Sequence, residues 1–413
     1  MHVAYVLDTF PAVSETFVLD QITAMIERGH EVSIVADAAA DHDPIHADVE
    51  RFRLIDRRRI RPSLSWSTLP RVLGLTGLIA GHGWKRPAIC VRSLLAGREG
   101  RSGELWRQAV PLLHIDPIDV VHAHHGWNGV RMDALRRLGV MNAPLLTSFH
   151  GSDATAYPTR YGNSVYRALF AHGERFTVNS AFTRQNITQL GAPDSRVTTL
   201  PVGVRASHEN GVPLAARNDD PIRLLSVARL VPVKGIEFAI RAVAALRDRD
   251  VPIRYDIIGD GPERASLESL VRELDVQTCV SLHGALPIER VRESYATSHV
   301  LLAPGIVTDD GAAEAQGLTL LEAQSHGMLV IASDVGGMPD SVCPEQRQHL
   351  VPQQQPSALA DMIQTAIASR SHWDEWSHAG RQYVTDHFDH AKLMTTLETI
   401  YRELADTGVR SVG

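Results

Sequence analysis

A chain of 413 residues with a formal net charge of -7 exceeds one ordinary hydrophobic core and suits two domains. Its 44% hydrophobic and 22% charged residues are those of a globular protein, and the acidic balance gives no reason to expect nucleic acid as a partner. Cys90, Cys279 and Cys343 are widely separated, which argues against a disulfide framework or a cysteine metal site and suits a reducing compartment.

The opening "MHVAYVLDTFP" has neither the basic region nor the apolar run of a signal peptide. The nearest approach to a membrane span, "VLGLTGLIA" from Val72, is far too short, so a cytoplasmic location is expected. "HVAYVLD" predicts a strand, and "ETFVLDQITAMIERGH" a helix that Gly29 ends. Ser14, Glu15 and Thr16 open that helix. Ser14 or Thr16 suits a helix cap, and a strand end also aims all three at a cleft, as acceptor-side contacts. "EVSIVAD" is the next strand. "RFRLIDRRRIRP", Arg51 to Pro62, is strongly basic and precedes segments containing Trp66 and Trp84. It reads either as a solvated loop or as a surface for anionic lipid.

"DVVHAHH", "PLLTSFH", "RFTVNS" and "RVTTLPV" are further strands, most of them separated by helical segments. His122 and His124 share one face of their strand. No third metal ligand is evident, so His124 is expected to line the cleft. Asp153, just after His150-Gly151, is a candidate acceptor contact or helix cap. The polar stretch 206–221 has little periodicity and reads as a linker between an acceptor-side domain, 1–205, and a second domain, 222–385. The alternation restarts with "IRLLSVA", "IRYDIIG", "CVSLHG", "HVLLAP" and "LVIASD". A terminal helical segment, 386–413, is expected to pack back on the first domain. Strands alternating with helices imply an α/β protein: two doubly wound, Rossmann-like parallel sheets facing across a cleft.

Charged residues gather at strand ends of the second half. Arg229 and Lys234 flank a strand-to-helix turn where a guanidinium, an ammonium and a helix start suit a diphosphate. "EAQGLTLLEA" places Glu314 and Glu322 on either side of Gly317, Leu318 and Thr319. Gly317 permits close backbone approach, Leu318 and Thr319 begin a helix with free amides, and each carboxylate can accept from a vicinal diol. "GDGP" at Gly259 to Pro262 lacks the third glycine of a dinucleotide fingerprint and reads as a structural turn. The adjacent acids in "TDD", Thr308 to Asp310, suit a solvated loop.

"ARLVPVKGIEFAIRA", "IIGDGPERASLESL" and "EAQGLTLLEAQSHGMLVIASDVGGMPD" together resemble the second half of retaining glycosyltransferases of family 4, which have the GT-B fold. "FPAVSETFVLDQI", "VVHAHHGWNG" and "SFHGSD" are similar to the exopolysaccharide and colanic-acid branch. The resemblance implies a nucleotide-sugar donor, expected to be a UDP-sugar, and transfer of a hexosyl or N-acetylhexosaminyl unit with no metal or other cofactor. The acceptor is then a glycan, a lipid-linked sugar or a small molecule. It implies that Arg229 and Lys234 hold the diphosphate, Glu322 the ribose, and Glu314 the donor-sugar hydroxyls. Gly317, Leu318 and Thr319 face sugar and phosphate, His150 points at the donor sugar, and His283 and Gly284 lie near the base. Two departures stand out: the hinge reads "PVGVR", Pro201 to Arg205, and Ala315 and Gln316 follow Glu314. A nucleotide-sugar epimerase of the same architecture is the rival reading.

Overall fold

The computed structural model describes residues 1–12, 16–39, 46–63, 79, 81, 87–95, 103–113, 115, 117–205, 214 and 221–410. The first sheet contains β1 (His2–Thr9), β2 (Glu31–Ala38), β3 (Arg58–Ile60), β4 (Val120–His124), β5 (Leu145–Phe149), β6 (Arg175–Val178) and β7 (Val197–Thr199). They are all parallel, in the order β3-β2-β1-β4-β5-β6-β7. The second sheet contains β8 (Ile222–Val227), β9 (Ile253–Ile258), β10 (Val280–Gly284), β11 (Val300–Ala303), β12 (Leu329–Ser333) and β13 (Leu350–Val351). It is also parallel, in the order β10-β9-β8-β11-β12-β13.

Both orders reverse direction beside the first strand of their sheet, which opens a ligand crevice at the carboxyl ends. The predicted α/β architecture is therefore the observed one. Every residue of β4, β5 and β12 is buried, as helices on both faces of a parallel sheet require. The short edge strands β3 and β13 are additions to the expected set. β3 falls within the basic run, where Arg58 donates to the Phe10 carbonyl at 3.0 Å. Arg61 is fully buried and lies 2.9 Å from Asp37, so part of that run is structural. Trp66 and Trp84 lie outside the described residues.

The final helix, His390–Arg410, leaves the second domain and packs on the first. Met394, Leu397, Ile400 and Leu404 are buried with Val3, Leu7, Ile34 and Leu146. At about 1.5–3 kcal/mol for each buried aliphatic side chain, these four contribute at most about 6–12 kcal/mol, enough to fix the helix there. The chain crosses between domains beside its other crossing: Val204 N–H donates to Phe388 O at 2.9 Å, and His390 N–H donates to Val204 O at 3.1 Å. A Cβ on Gly203 would lie 2.7 Å from the His390 Cα, so a side chain there would force the two crossings apart. Most of 206–221 lies outside the described residues; Leu214, within it, is buried in the second-domain core.

Candidate functional site

The loop leaving β8 is shaped by the glycines of "GDGP". A Cβ on Gly259 would lie 1.8 Å from Ala228 O, and one on Gly261 would lie 2.4 Å from Leu230 O. Those approaches bracket Arg229, and Leu230 N–H donates to Asp260 O at 2.9 Å. The turn is structural, as the missing third glycine implied. The loop continues through a short 3-10 turn, Pro232–Lys234, to Gly235, whose φ of 60° starts the helix Ile236–Arg247. Gly235 also presses against Pro304 O, 2.1 Å from where its Cβ would be. The segment after β11 is thereby held against the Lys234 turn.

Lys234 Nζ donates to the Glu314 carboxylate. Their side chains keep 27% and 21% exposure, so both remain reachable from the crevice. Glu314 is fixed from behind, because its carbonyl accepts from Gly337 N–H at 2.8 Å. Gly317, at φ 78°, precedes the helix Leu318–Ser325, whose first amides have no acceptor within the helix. Lys234, Glu314, Gly317 and Thr319 line one narrow hollow of about 20 Å³, closed by Pro304, Gly305 and Met338. Lysine, carboxylate and helix start thus converge. Arg229 is exposed on the same loop but is not among the residues lining the hollow.

Glu322 stands one turn into that helix and accepts from the Tyr295 hydroxyl at 2.7 Å. Burial pushes its carboxyl above the ordinary glutamate range; the Tyr295 hydrogen bond and the Arg292 charge oppose that shift. His283 lies in β10, exposed, with Nε2 2.6 Å from Asp256 Oδ1. Gly284, at φ 74°, accepts from Gly259 N–H at 2.9 Å and backs onto Arg264. Neither lines the hollow.

The first domain meets the Glu314 loop just after β5. A Cβ on Gly151 would lie 2.4 Å from the Ala315 Cβ, so the residue after His150 packs on the residue after Glu314. His150 is half-buried, with the Phe17 ring 4.9 Å from its own and the His124 Nδ1 2.9 Å from its Nε2. One expectation is corrected here and one alternative is decided. His124 does not line a cleft: β4 runs between β1 and β5, and the His124 ring is fully buried among Tyr5, Phe17 and His150. Of the two roles expected for Asp153 the geometry is that of a helix cap, since the helix Gly126–Arg137 begins at one of its donors. Asp153 is fully buried and accepts from the N–H groups of Gly126, His150 and Gly151 at 3.0, 2.9 and 2.9 Å. These bonds and the neighbouring His125 and His150 hold its carboxyl below the ordinary aspartate range against desolvation, the largest single effect. Asp153 positions the His150 loop. Thr16 is exposed at the start of its helix, and Ser14 and Glu15 lie outside the described residues.

Residue patterns gave no notice of Gln316 as a clamp. It is buried, its Oε1 accepts from Val202 N–H at 2.8 Å, and its Nε2 donates to Val202 O at 2.8 Å. The unusual Ala315-Gln316 pair therefore meets the first domain: Ala315 against Gly151, Gln316 against the altered hinge. His122 was also read only through its strand. It is buried between the Tyr401 hydroxyl of the final helix and Ser148 Oγ, both at 2.6 Å. Among the described residues no group of three or more His, Cys, Asp or Glu is arranged to hold a metal ion.

Residues 14–208 match the model of Glycosyltransferase Family 4, and residues 214–383 match that of Glycosyl transferases group 1. The putative colanic acid biosynthesis glycosyltransferase WcaL of Salmonella typhimurium is 30% identical over 369 residues, 87% of this chain and 89% of that protein. The chain belongs to glycosyltransferase family 4. This family-4 transferase is also similar to the amylovoran biosynthesis glycosyltransferase AmsK of Erwinia amylovora, at 28% identity over 86% of this chain and 88% of that protein. Anabaena HepE in complex with UDP has the same GT-B fold, with TM-score 0.71 at 14% identity over 98% of this chain and 100% of that one. The lipopolysaccharide glycosyltransferase WaaG gives 0.61 at 17% identity over 97% and 99%. Membership makes the chain a glycosyltransferase, in place of the rival epimerase.

Proposed function

We propose that this transferase moves a hexosyl or N-acetylhexosaminyl unit from a UDP-sugar to a hydroxyl of a glycan or lipid-linked glycan, with retention of anomeric configuration and without a metal. The observation that carries this reading is the convergence of Lys234, Glu314 and the helix start at Gly317 and Thr319 on one hollow, from which Leu318 turns away to pack with Val204 and Phe388. Support for the donor comes from HepE, which shares the fold and is bound to UDP. Support for the acceptor comes from WcaL and AmsK, both named for polysaccharide biosynthesis.

Breaking the bond from the sugar C1 to the diphosphate oxygen places negative charge on the leaving UDP. A preorganised ammonium and free helix amides stabilise that charge directly. Lys234 would exchange the Glu314 carboxylate for the phosphate, freeing Glu314 to accept from the sugar hydroxyls. Arg229, exposed on the same loop, would close on the diphosphate from outside. Glu322, one turn into the same helix, suits the ribose diol. His150 would present its ring to the sugar from the first domain. The bond from acceptor oxygen to C1 forms on the face the phosphate leaves, and the acceptor proton passes to the departing phosphate oxygen.

A thermal-shift screen against UDP-, GDP- and ADP-sugars tests the donor. Stabilisation by UDP-sugars alone, undiminished by a chelator, is expected. Stabilisation confined to another base would overturn the UDP assignment, and loss of turnover in chelator would overturn metal independence. Proton NMR of the first-formed product reads the anomeric configuration.

A further inference from the structure

Outside the donor hollow, the first domain carries a groove of about 710 Å³ that no residue named so far explains. That volume lies in the range of about 300–1,000 Å³ usual for small-ligand sites. Its floor is aromatic: Trp127, Tyr157 and Tyr161. These rings continue a ladder that begins at His150. The ring centroids step 5.1 Å from His150 to His125, 4.6 Å from His125 to Trp127, 5.0 Å from Trp127 to Tyr157, and 4.5 Å from Tyr157 to Tyr161. Tyr161, the outermost rung, is 57% exposed.

The far wall belongs to the other domain. Asp310 of the "VTDDGAA" loop lines the groove, and a Cβ on Gly311 would sit 3.6 Å from the Thr159 hydroxyl. Asp310 is oriented by its own loop, accepting from the Thr308 hydroxyl at 2.6 Å and Ala312 N–H at 3.2 Å. Inside, Trp127 Nε1 donates to Asp8 at 2.7 Å, and Arg131 donates to Asp37 at 2.9 Å and lies 3.6 Å from Asp8. The Arg131 charge is thus already matched. Arg160, whose guanidinium carbon lies 5.3 Å over the Tyr161 ring, lines the same groove as Asp310, one charge of each sign. The surface combines flat apolar rings with a balanced rim of donors and acceptors.

We propose that this groove is the acceptor-binding track, that it holds a neutral oligosaccharide, and that the ladder guides the accepting sugar toward His150. A pyranose has one apolar C–H face and a rim of hydroxyls, which is the complement of such a surface. The proposal rests on the reading that His150 faces the donor sugar.

The test uses the full-length protein with UDP present, applied to an array of immobilised neutral gluco-, galacto-, manno- and N-acetylglucosamino-oligosaccharides. Binding to at least one series is expected. Tyr161→Ala is expected to weaken it about tenfold, equivalent to about 1.4 kcal/mol, while the UDP thermal shift stays at the wild-type value. Tyr161 is exposed, so its loss leaves the core intact; Tyr161→Phe is expected to retain most of the binding. The proposal is overturned if wild type binds none of the oligosaccharides, or if Tyr161→Ala binds them as wild type does. Absence of a UDP shift in wild type counts against the donor reading instead, and leaves a Tyr161-dependent glycan result standing.

Discussion

Replacing Lys234 by alanine separates chemistry from folding more sharply than any other single change in this site. The ammonium touches the Glu314 carboxylate in a pair that keeps 27% and 21% side-chain exposure. Ion pairs open to solvent contribute about 0–1 kcal/mol. For domains of this size, 1 kcal/mol corresponds to roughly 2–4 °C in Tm, so unfolding should change by no more than that. Turnover should change far more. Removing one preorganised donor to a developing oxyanion costs about 10²–10³ in kcat, or about 2.7–4 kcal/mol. The loss also leaves Glu314 facing the diphosphate without its counter-charge. Adding Glu314→Gln to the Lys234→Ala background should therefore recover part of the lost UDP affinity, a coupling that a double-mutant cycle measures. The assay is steady-state release of UDP from the preferred donor, with a thermal melt on the same preparations. Wild-type turnover in Lys234→Ala would refute the electrostatic reasoning, whatever happened to the melt.

Glu322→Gln should raise the Tm of the nucleotide-free protein while weakening UDP affinity. The buried carboxyl has its folded-state pKa above the ordinary value. Ionisation therefore costs stability as pH rises from the unfolded value through the folded one, and a neutral amide removes that cost yet still accepts from Tyr295. A lower Tm together with unchanged UDP affinity would contradict both halves. Gln316→Leu should lose about 2–6 kcal/mol in urea unfolding, because two backbone groups of Val202 are left without partners at about 1–3 kcal/mol each; a change below 1 kcal/mol would mean that water replaces the amide. Burial depresses the His122 pKa to about 3. Between the unfolded value, about 6.5, and the folded one, the unfolded chain binds the extra proton. Stability is then complete above about pH 6.5 and falls below it by up to about 1.4 kcal/mol per pH unit. His122→Gln should flatten that slope in urea titrations run across the window, and an unchanged slope would assign it to other groups.

Local pattern carried the architecture because each strand advertises itself. β4, β5 and β12 are short, mostly apolar or β-branched runs, as burial on both faces favours. β3 escaped notice because Arg58–Ile60 is a charged edge strand, and pairing along one edge demands no apolar face. The residues of the Lys234 hollow were legible for a related reason. Lys234, Glu314 and Gly317 sit at strand-to-helix turns, where parallel topology forces the ends of neighbouring strands together.

His124 was misplaced, and the role of Asp153 left open, because local sequence does not say which neighbour covers a side chain. His124 is hidden by Tyr5 and Phe17, residues more than a hundred positions away, and Asp153 lies between the His150 loop and the first amide of the helix Gly126–Arg137. The same limit hid the Gln316 clamp, the bond from His122 to Tyr401 and the aromatic ladder, all of which join residues that only packing brings together. Periodicity and turn chemistry are short-range properties, so they determined the strands, the two sheets and the residues at their ends. Side-chain environments and the meeting of His150 with the Glu314 loop depend on how those sheets dock, and that was decided by long-range complementarity at Gly151, Gln316 and the final helix.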